Sequence, residues 1–263
     1  MTSAILDTAT GPGWELRLGN SLLDAWPECD HVFTDTPYCK HVHSNHRTSK
    51  VDNGRSNVQI GFRPFDTFDR AMTAIKTAQV VRRWVLLFTD AETVREWNDA
   101  LEFARVIPGK NGKRESLRPI RTGTWHKPGC CPQLTGDRPG QATESVVIGH
   151  PPGRMKWNGG GLPAFWSYPA RDGTKRIHQT QKPIPLLERM IEQFTDPGDL
   201  ILDPFAGSAS SGVAAIRTGR RWLGWELDPD MFGPARRRLE STREQRSLPL
   251  TTTPKARQEA LSL

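Results

Sequence analysis

One stretch of fourteen residues limits the choice of fold more than any other: Asp199-Leu200-Ile201-Leu202-Asp203-Pro204-Phe205-Ala206-Gly207-Ser208-Ala209-Ser210-Ser211-Gly212. It reads as a buried strand, a tight turn and the start of a helix. Gly207, Ala209 and Gly212 stand at the spacing of a G-x-G-x-x-G fingerprint with Ala in the middle position. Glycine lets the backbone turn sharply and lets a ligand approach the amides at the helix N-terminus. Nineteen residues after Gly207, Glu226 closes the run Trp222-Leu223-Gly224-Trp225. An acid at that distance, ending the next strand, is placed to accept hydrogen bonds from ribose hydroxyls. The pattern points to a nucleoside-containing cofactor, and taken alone it leaves a nicotinamide oxidoreductase and a methyltransferase both open.

The flanking sequence repeats the alternation of strand and helix. Trp14 to Leu18, His31 to Thr34 and Arg83 to Thr89 have strand character, and Phe68 to Val80 carries apolar residues at helical spacing. A further helix is expected from Thr89-Asp90-Ala91-Glu92 through Phe103. Beyond residue 183 the sequence predicts a helix over 184–194, a strand over 199–202, a helix over 208–217, a strand over 221–226 and a helix over 229–239. Such alternation predicts an α/β fold with a mostly parallel sheet and helices on both faces. A length of 263 residues fits one domain, or one domain with a sizeable insertion. With no apolar run near the roughly 20 residues of a membrane span and no basic, apolar start, the expectation is a cytoplasmic protein with no membrane partner. Four cysteines, two of them the adjacent Cys130 and Cys131, do not make a disulfide framework.

Charge is distributed unevenly. From Arg105 to Lys182 there are 14 Lys and Arg against four acids, a local excess of +10 in a chain whose net charge is +7. This segment is rich in Gly and Pro and holds Trp125, Trp157 and Trp166, the mixture expected where phosphates are neutralised and bases are packed against. A solvated basic loop region has the same composition.

The second motif is Phe33-Thr34-Asp35-Thr36-Pro37-Tyr38, which ends a strand with a carboxylate, a carbonyl held before a proline and an aromatic ring. An exocyclic base amine is a poor nucleophile because its lone pair is delocalised into the ring. A carboxylate and a backbone carbonyl accepting its two N–H protons would draw it toward tetrahedral geometry, and the aromatic would stack on a base flipped out of the duplex. This motif resembles the catalytic turn of the DNA amino-methyltransferases, usually Asp-Pro-Pro-Tyr. Asp203-Pro204-Phe205-Ala206-Gly207-Ser208 is similar to that family's S-adenosylmethionine loop. His178-Gln179-Thr180-Gln181-Lys182-Pro183 resembles the segment that lines the methionine end of the cofactor, and Leu18-Gly19-Asn20-Ser21-Leu22 the short segment that meets the adenine. Catalytic turn first, basic segment second and cofactor loop last resembles the permuted subclass often called beta, in which the intervening insertion holds target recognition.

The resemblance implies a Rossmann-like S-adenosylmethionine-dependent methyltransferase fold with an inserted recognition region. It divides the chain into a catalytic half over 1–104, a basic recognition insertion with some core strands over 105–177, a cofactor half over 178–240 and a flexible tail over 241–263. The implied catalytic residues are Asp35, Thr36, Pro37 and Tyr38. Cofactor binding falls to Asn20, His178, Thr180, Lys182, Asp203, Phe205, Gly207, Ser208 and Glu226, and DNA contact to His41, His43, Arg118, Arg121, Lys127, Arg154 and Lys156. The partner is double-stranded DNA, the protein a monomer or homodimer, and no metal is required.

Three segments depart from the family pattern. Thr36 replaces the first proline of the turn, Ala209 and Ser210-Ser211 replace the usual Gly-Thr-Thr, and Asn20 replaces an acid. Within the family a leading Asp goes mostly with the N6 amine of adenine and a leading Ser with the N4 amine of cytosine, so Asp35 implies adenine with cytosine as the alternative. An RNA substrate, and a DNA-binding protein that keeps the fold without catalysis, also remain open. Cys39, His41, His43 and His46 match none of the usual zinc spacings.

Overall fold

The computed structural model describes residues 5–37, 65–104, 116–130, 139–171, 173, 177 and 181–247. A hairpin of β1 (Ile5–Gly11) and β2 (Trp14–Gly19) leads to β3 (His31–Asp35). Then come α1 (Thr67–Val80), β4 (Val85–Thr89) and α2 (Val94–Phe103). The basic segment contributes β5 (Arg118–His126), β6 (Thr143–His150) and β7 (Phe165–Ser167). After it run α3 (Ile184–Phe194), β8 (Leu200–Asp203), α4 (Ser210–Arg217), β9 (Arg221–Glu226) and α5 (Pro229–Ser247).

The described strands form one sheet in the order β1-β2-β9-β8-β3-β4-β6-β5-β7. β2, β9, β8, β3 and β4 are mutually parallel neighbours, as are β5 and β7, whereas β1–β2, β4–β6 and β5–β6 are antiparallel. Alternate side chains of the central strands enter opposite layers. Phe33, Leu86, Phe88, Ile201 and Trp222 pack with Met190 and Phe194 of α3, Val213 of α4 and Leu239 of α5. Val32, Val85, Leu87, Leu202 and Leu223 pack on the other face with Ala74 and Ala78 of α1 and Trp97 and Leu101 of α2. Burial on both faces is why these strands read as continuous apolar runs.

The connections generate the site. From β3 the chain crosses by α1 to β4 on one side, and from β8 it crosses by α4 to β9 on the other. Because β3 and β8 are neighbours, the turns leaving their carboxyl ends diverge and a crevice opens between them, the usual ligand position in a sheet of this kind.

Several sequence expectations are refined. Asp90 Oδ1 accepts both the amide and the hydroxyl of Thr93 at 2.8 Å, an Asx turn that delays α2 to Val94. α5 runs to Ser247 rather than ending at Leu239, so 241–247 are helix and not tail, and Pro234 lies inside it. The strands β1, β5, β6 and β7 were not legible as sequence runs. Among the described residues no helix is long and apolar enough to cross a membrane.

Ala209 adopts φ +54°, the one positive φ among the described non-glycine residues. It sits at the N-cap of α4, fully buried, in a conformation that costs a non-glycine residue roughly 1–2 kcal/mol. Gly212 serves packing: a Cβ there would lie 2.8 Å from Leu239 Cδ2 and 2.8 Å from the Trp222 indole. That indole is pinned by its own hydrogen bond to Ser211 Oγ at 3.0 Å, so it cannot swing aside without losing a partner. Gly212→Ala is therefore expected to destabilise the protein by about 1–3 kcal/mol, the usual cost of overpacking. Urea unfolding measures it, and an unchanged midpoint would contradict this packing role.

Candidate active site

Both sequence motifs emerge at the same edge of the sheet. Asp35 ends β3 and Asp203 ends the adjacent parallel β8, while Glu226 ends β9 in register with Leu18, two residues before Asn20. The antiparallel strands bring Glu144 at the start of β6 and Trp125 at the end of β5 to this edge as a cross-strand pair.

Asp203 binds the two motifs together. Its carboxylate accepts from Thr34 Oγ1 at 2.6 Å, from the Phe205 amide at 3.1 Å and from Ser211 Oγ. Burial raises its pKa to about 6 despite these donors, so the group is expensive and each partner is needed. The sequence assigned Asp203 to cofactor contact; the structure makes it a brace between β3 and the glycine turn. Thr36 is 2% exposed and sends its hydroxyl to the Phe88 carbonyl at 2.8 Å, with its amide on the same oxygen at 3.3 Å. The side chain that replaces the family proline thus anchors the turn to β4 by hydrogen bonding in place of ring rigidity.

Asp35 meets Lys182, whose Nζ donates to Oδ2 at 2.6 Å. Lys182 also lies 3.2 Å from Glu144 Oε2, and Lys127 Nζ donates to Glu144 Oε1 at 2.5 Å. Phe88 and Trp125 border the Lys182 ammonium at 5.4 and 5.9 Å. Burial lowers the Lys182 pKa, but the carboxylates of Asp35 and Glu144 outweigh it and hold the group above its ordinary value. The sequence had placed Lys182 on the cofactor and Lys127 on DNA, and in the structure both ammonium groups face carboxylates. Glu144 was missed because an acid inside a basic segment carries no signal without its strand register.

At the end of β9, Glu226 is 8% exposed and burial pushes its pKa up to about 7, with the amides of Asp228, Gly207 and Leu227 pulling it down. The Asp228 amide donates to Oε1 at 2.7 Å. Gly207 has φ +52° and nothing within 4 Å of the position a Cβ would take, so open space adjoins the turn beside Glu226. A nearly buried acceptor against an open glycine turn is the donor and acceptor set that a ribose requires. Three other residues that the sequence assigned to the cofactor make contacts within the protein. Asn20 Oδ1 already accepts the Leu22 amide at 3.0 Å, a local Asx turn. Ser208 turns toward α5, where Arg238 Nη1 donates to its carbonyl at 2.9 Å and meets its hydroxyl at 3.2 Å. Phe205 packs edge-on to Phe65 with ring centroids 4.9 Å apart.

The remaining basic residues are not gathered here. Arg118 pairs with His150 across β5 and β6, at the opposite edge of the sheet, and Lys156 ion-pairs with Asp196 there at 2.7 Å. Arg83 joins Asp196 and Asp199 in the same network, and Asp199 accepts from the buried His31 at 2.9 Å. Arg154 is exposed in the segment between His150 and Lys156, and Arg121 is exposed opposite Ile148. The structure therefore does not bring Arg118, Arg154 or Lys156 to the edge that holds Asp35. Tyr38, His41, His43, His178 and Thr180 lie outside the described residues.

A family model described as a DNA methylase matches residues 29–233. The chain is 51% identical over 67 residues to the type II methyltransferase M2.DpnII of Streptococcus pneumoniae, covering 26% of this chain and 25% of that protein. It is 46% identical over 63 residues to the DNA adenine methyltransferase YhdJ of Escherichia coli K12, covering 24% and 21%. The matched stretches span only about a quarter of these relatives. Two solved structures share the fold: M1.HpyAVI in complex with SAM, with a TM-score of 0.64 at 20% identity over 86% of this chain and 98% of that one. The other is the cytosine-N4-specific PvuII DNA methyltransferase, with a TM-score of 0.65 at 15% identity over 92% and 94%.

The Thr36 anchor has a direct test. Thr36→Val keeps the shape and removes the hydroxyl donor, and is expected to cost about 1 kcal/mol, the net worth of one such bond. Denaturant unfolding reads this, and a variant as stable as wild type would show that the bond does not hold the turn.

Proposed function

From the premise that the chain belongs to the DNA methylase family, we propose that it is an S-adenosylmethionine-dependent methyltransferase acting on the N6 amine of adenine, flipped out of duplex DNA. The observation that carries this reading is the placement of Asp35 and the Thr36 carbonyl at the end of β3, across the β3–β8 crevice from the glycine turn and Glu226. S-adenosylmethionine, when bound, supplies an electrophilic methyl group on a sulfonium. Glu226 accepts the ribose hydroxyls, and the Gly207 turn leaves room for the ligand to lie against the backbone. Residues 105–177 carry target recognition, with β5, β6 and β7 fixing them to the sheet.

In this reading Asp35 and the Thr36 carbonyl accept the two N–H groups of the amine and direct its lone pair along the line of transfer. Catalysis comes from orientation and fixed dipoles rather than from a covalent enzyme intermediate. Once the nitrogen carries a methyl it is cationic and acidic, and Asp35 is the base beside it. Adenine is favoured by the leading Asp of the turn, and the adenine-named relative is consistent with it. Cytosine N4 is the second reading, since a protein of that specificity shares the fold.

Incubation with duplex DNA and methyl-labelled S-adenosylmethionine, followed by nucleoside mass spectrometry, tests the proposal. Label is expected in N6-methyladenine, with Asp35→Ala reducing it by about 10²-fold or more, the usual cost of losing a polarising group. Label in N4-methylcytosine corrects the base, and no label on duplexes of varied sequence overturns the activity.

Glu226 gives a pH prediction. Ribose hydroxyls donate to the ionised carboxylate, so affinity is expected to be constant above a pH of about 7 and to fall below it, by roughly tenfold per pH unit at the limit. Glu226→Gln should weaken binding and flatten this dependence. Calorimetry from pH 5.5 to 8 measures both, and an equal slope in the two proteins would remove Glu226 from the site.

A further inference from the structure

We propose that Lys182 is a positioning residue for Asp35, and that Glu144 sets how strongly Lys182 holds it. The inference rests on the methyl-transfer reading for its purpose, but its geometry stands independently. Lys182 is 5% exposed, and its Nζ lies 2.6 Å from Asp35 and 3.2 Å from Glu144. Glu144 is in turn held by Lys127, whose ammonium sits 4.9 Å from the Trp125 ring centroid. Two ammonium groups and two carboxylates make a neutral set, which is how the buried Lys182 charge is tolerated. Asp203, on the neighbouring strand, feels the Asp35 charge, which adds to the rise in its pKa.

The arrangement answers a conflict in what Asp35 must do. To accept an amine N–H it has to be ionised at the moment the base excludes water, when desolvation favours the neutral acid. A cation at 2.6 Å keeps it ionised and fixes the direction of its oxygens. A cation bound to Asp35 alone would compete with the amine and hold the carboxylate too weakly basic to take a proton afterward. Glu144 draws part of the Lys182 charge away, leaving Asp35 ionised yet able to act as a base. The proton step balances without any co-reactant: the N–H bond of the methylated amine breaks, its electron pair remains on nitrogen, and the proton passes to an Asp35 carboxylate oxygen.

A purely structural salt bridge would leave methyl transfer unchanged in any variant that still folds. The positioning role instead couples the charge state of Asp35 to kcat at unchanged cofactor affinity. Loss of the Lys182 cation raises the Asp35 titration midpoint, whereas loss of the Glu144 anion lowers it.

The test uses the full chain labelled with [13Cγ]aspartate, with the Asp35 resonance assigned by its loss in Asp35→Asn. Its midpoint is expected to rise by about one pH unit or more in Lys182→Met, fall in Glu144→Gln and stay near wild type in Lys182→Arg. In methyl-transfer assays Lys182→Met is expected to lower kcat by about tenfold or more while the affinity for S-adenosylmethionine changes by less than about twofold. Shifts of the same sign, or no shift, overturn the proposal. So does loss of cofactor affinity in Lys182→Met with the Asp35 midpoint unmoved, which would return Lys182 to the cofactor site. If Lys182→Met does not fold, Glu144→Gln decides: the proposal requires its lowered Asp35 midpoint to come with a lowered kcat at unchanged S-adenosylmethionine affinity, and an unchanged kcat overturns it. Opposite shifts in a protein that transfers no methyl would support the positioning role and overturn the activity instead.

Discussion

The site depends on a buried carboxylate that joins two strands. Asp203 holds Thr34 of β3, the Phe205 amide of the glycine turn and Ser211 of α4 at once. Its pKa of about 6 records how much burial costs it, and its three donors are what make the carboxylate tolerable there. Because β3 and β8 part on opposite crossovers, nothing in the sheet ladder itself joins the turns that follow them. The Asp203 network does so, and the distance between Asp35 and the glycine turn is fixed by it.

On either side of that brace the edge divides into two electrostatic regimes. Around Asp35 four charges offset one another at close range, with Lys182 at the centre. Around Glu226 burial, with the neighbouring Asp228 charge adding to it, lifts the carboxyl pKa to about 7 although the amides of Asp228, Gly207 and Leu227 pull it down. A carboxylate paired with a cation has its oxygens directed for an amine, and a nearly buried one accepts hydroxyl donors in its ionised form. The opposite edge of the sheet carries another network, in which Arg83 and Lys156 pair with Asp196 and Asp199 and the buried His31 hydrogen-bonds to Asp199, tying β3, β4 and β8 together at their amino ends.

Much of this was readable in the sequence because it is local. The glycine turn, the Asp35 turn and the helix over 184–194 each depend on residues within a dozen positions, and the structure has them where the patterns put them. What escaped reading was set by register. Glu144 belongs to the site only because β6 runs antiparallel to β4 and β5, and β6 carries an apolar run with no turn chemistry to mark its orientation. The same cause separates Arg118 from Lys127: both lie on or beside β5, yet the strand takes them to opposite edges of the sheet. Positive charge in a segment is visible in sequence, whereas the edge it reaches is not. The side chains of Asn20 and Ser208 point to a second limit, since small polar groups near a turn are as readily spent on local hydrogen bonds as on a ligand.

The central claim is that the β3–β8 crevice holds the methyl donor and the base amine together. The most direct measurement is a crystal structure of the protein soaked with S-adenosylhomocysteine. The account predicts the ribose hydroxyls on the Glu226 carboxylate, the chain of the ligand along the Gly207 turn and its sulfur directed toward Asp35. A ligand bound away from Glu226, or with its sulfur pointing away from Asp35, would contradict it.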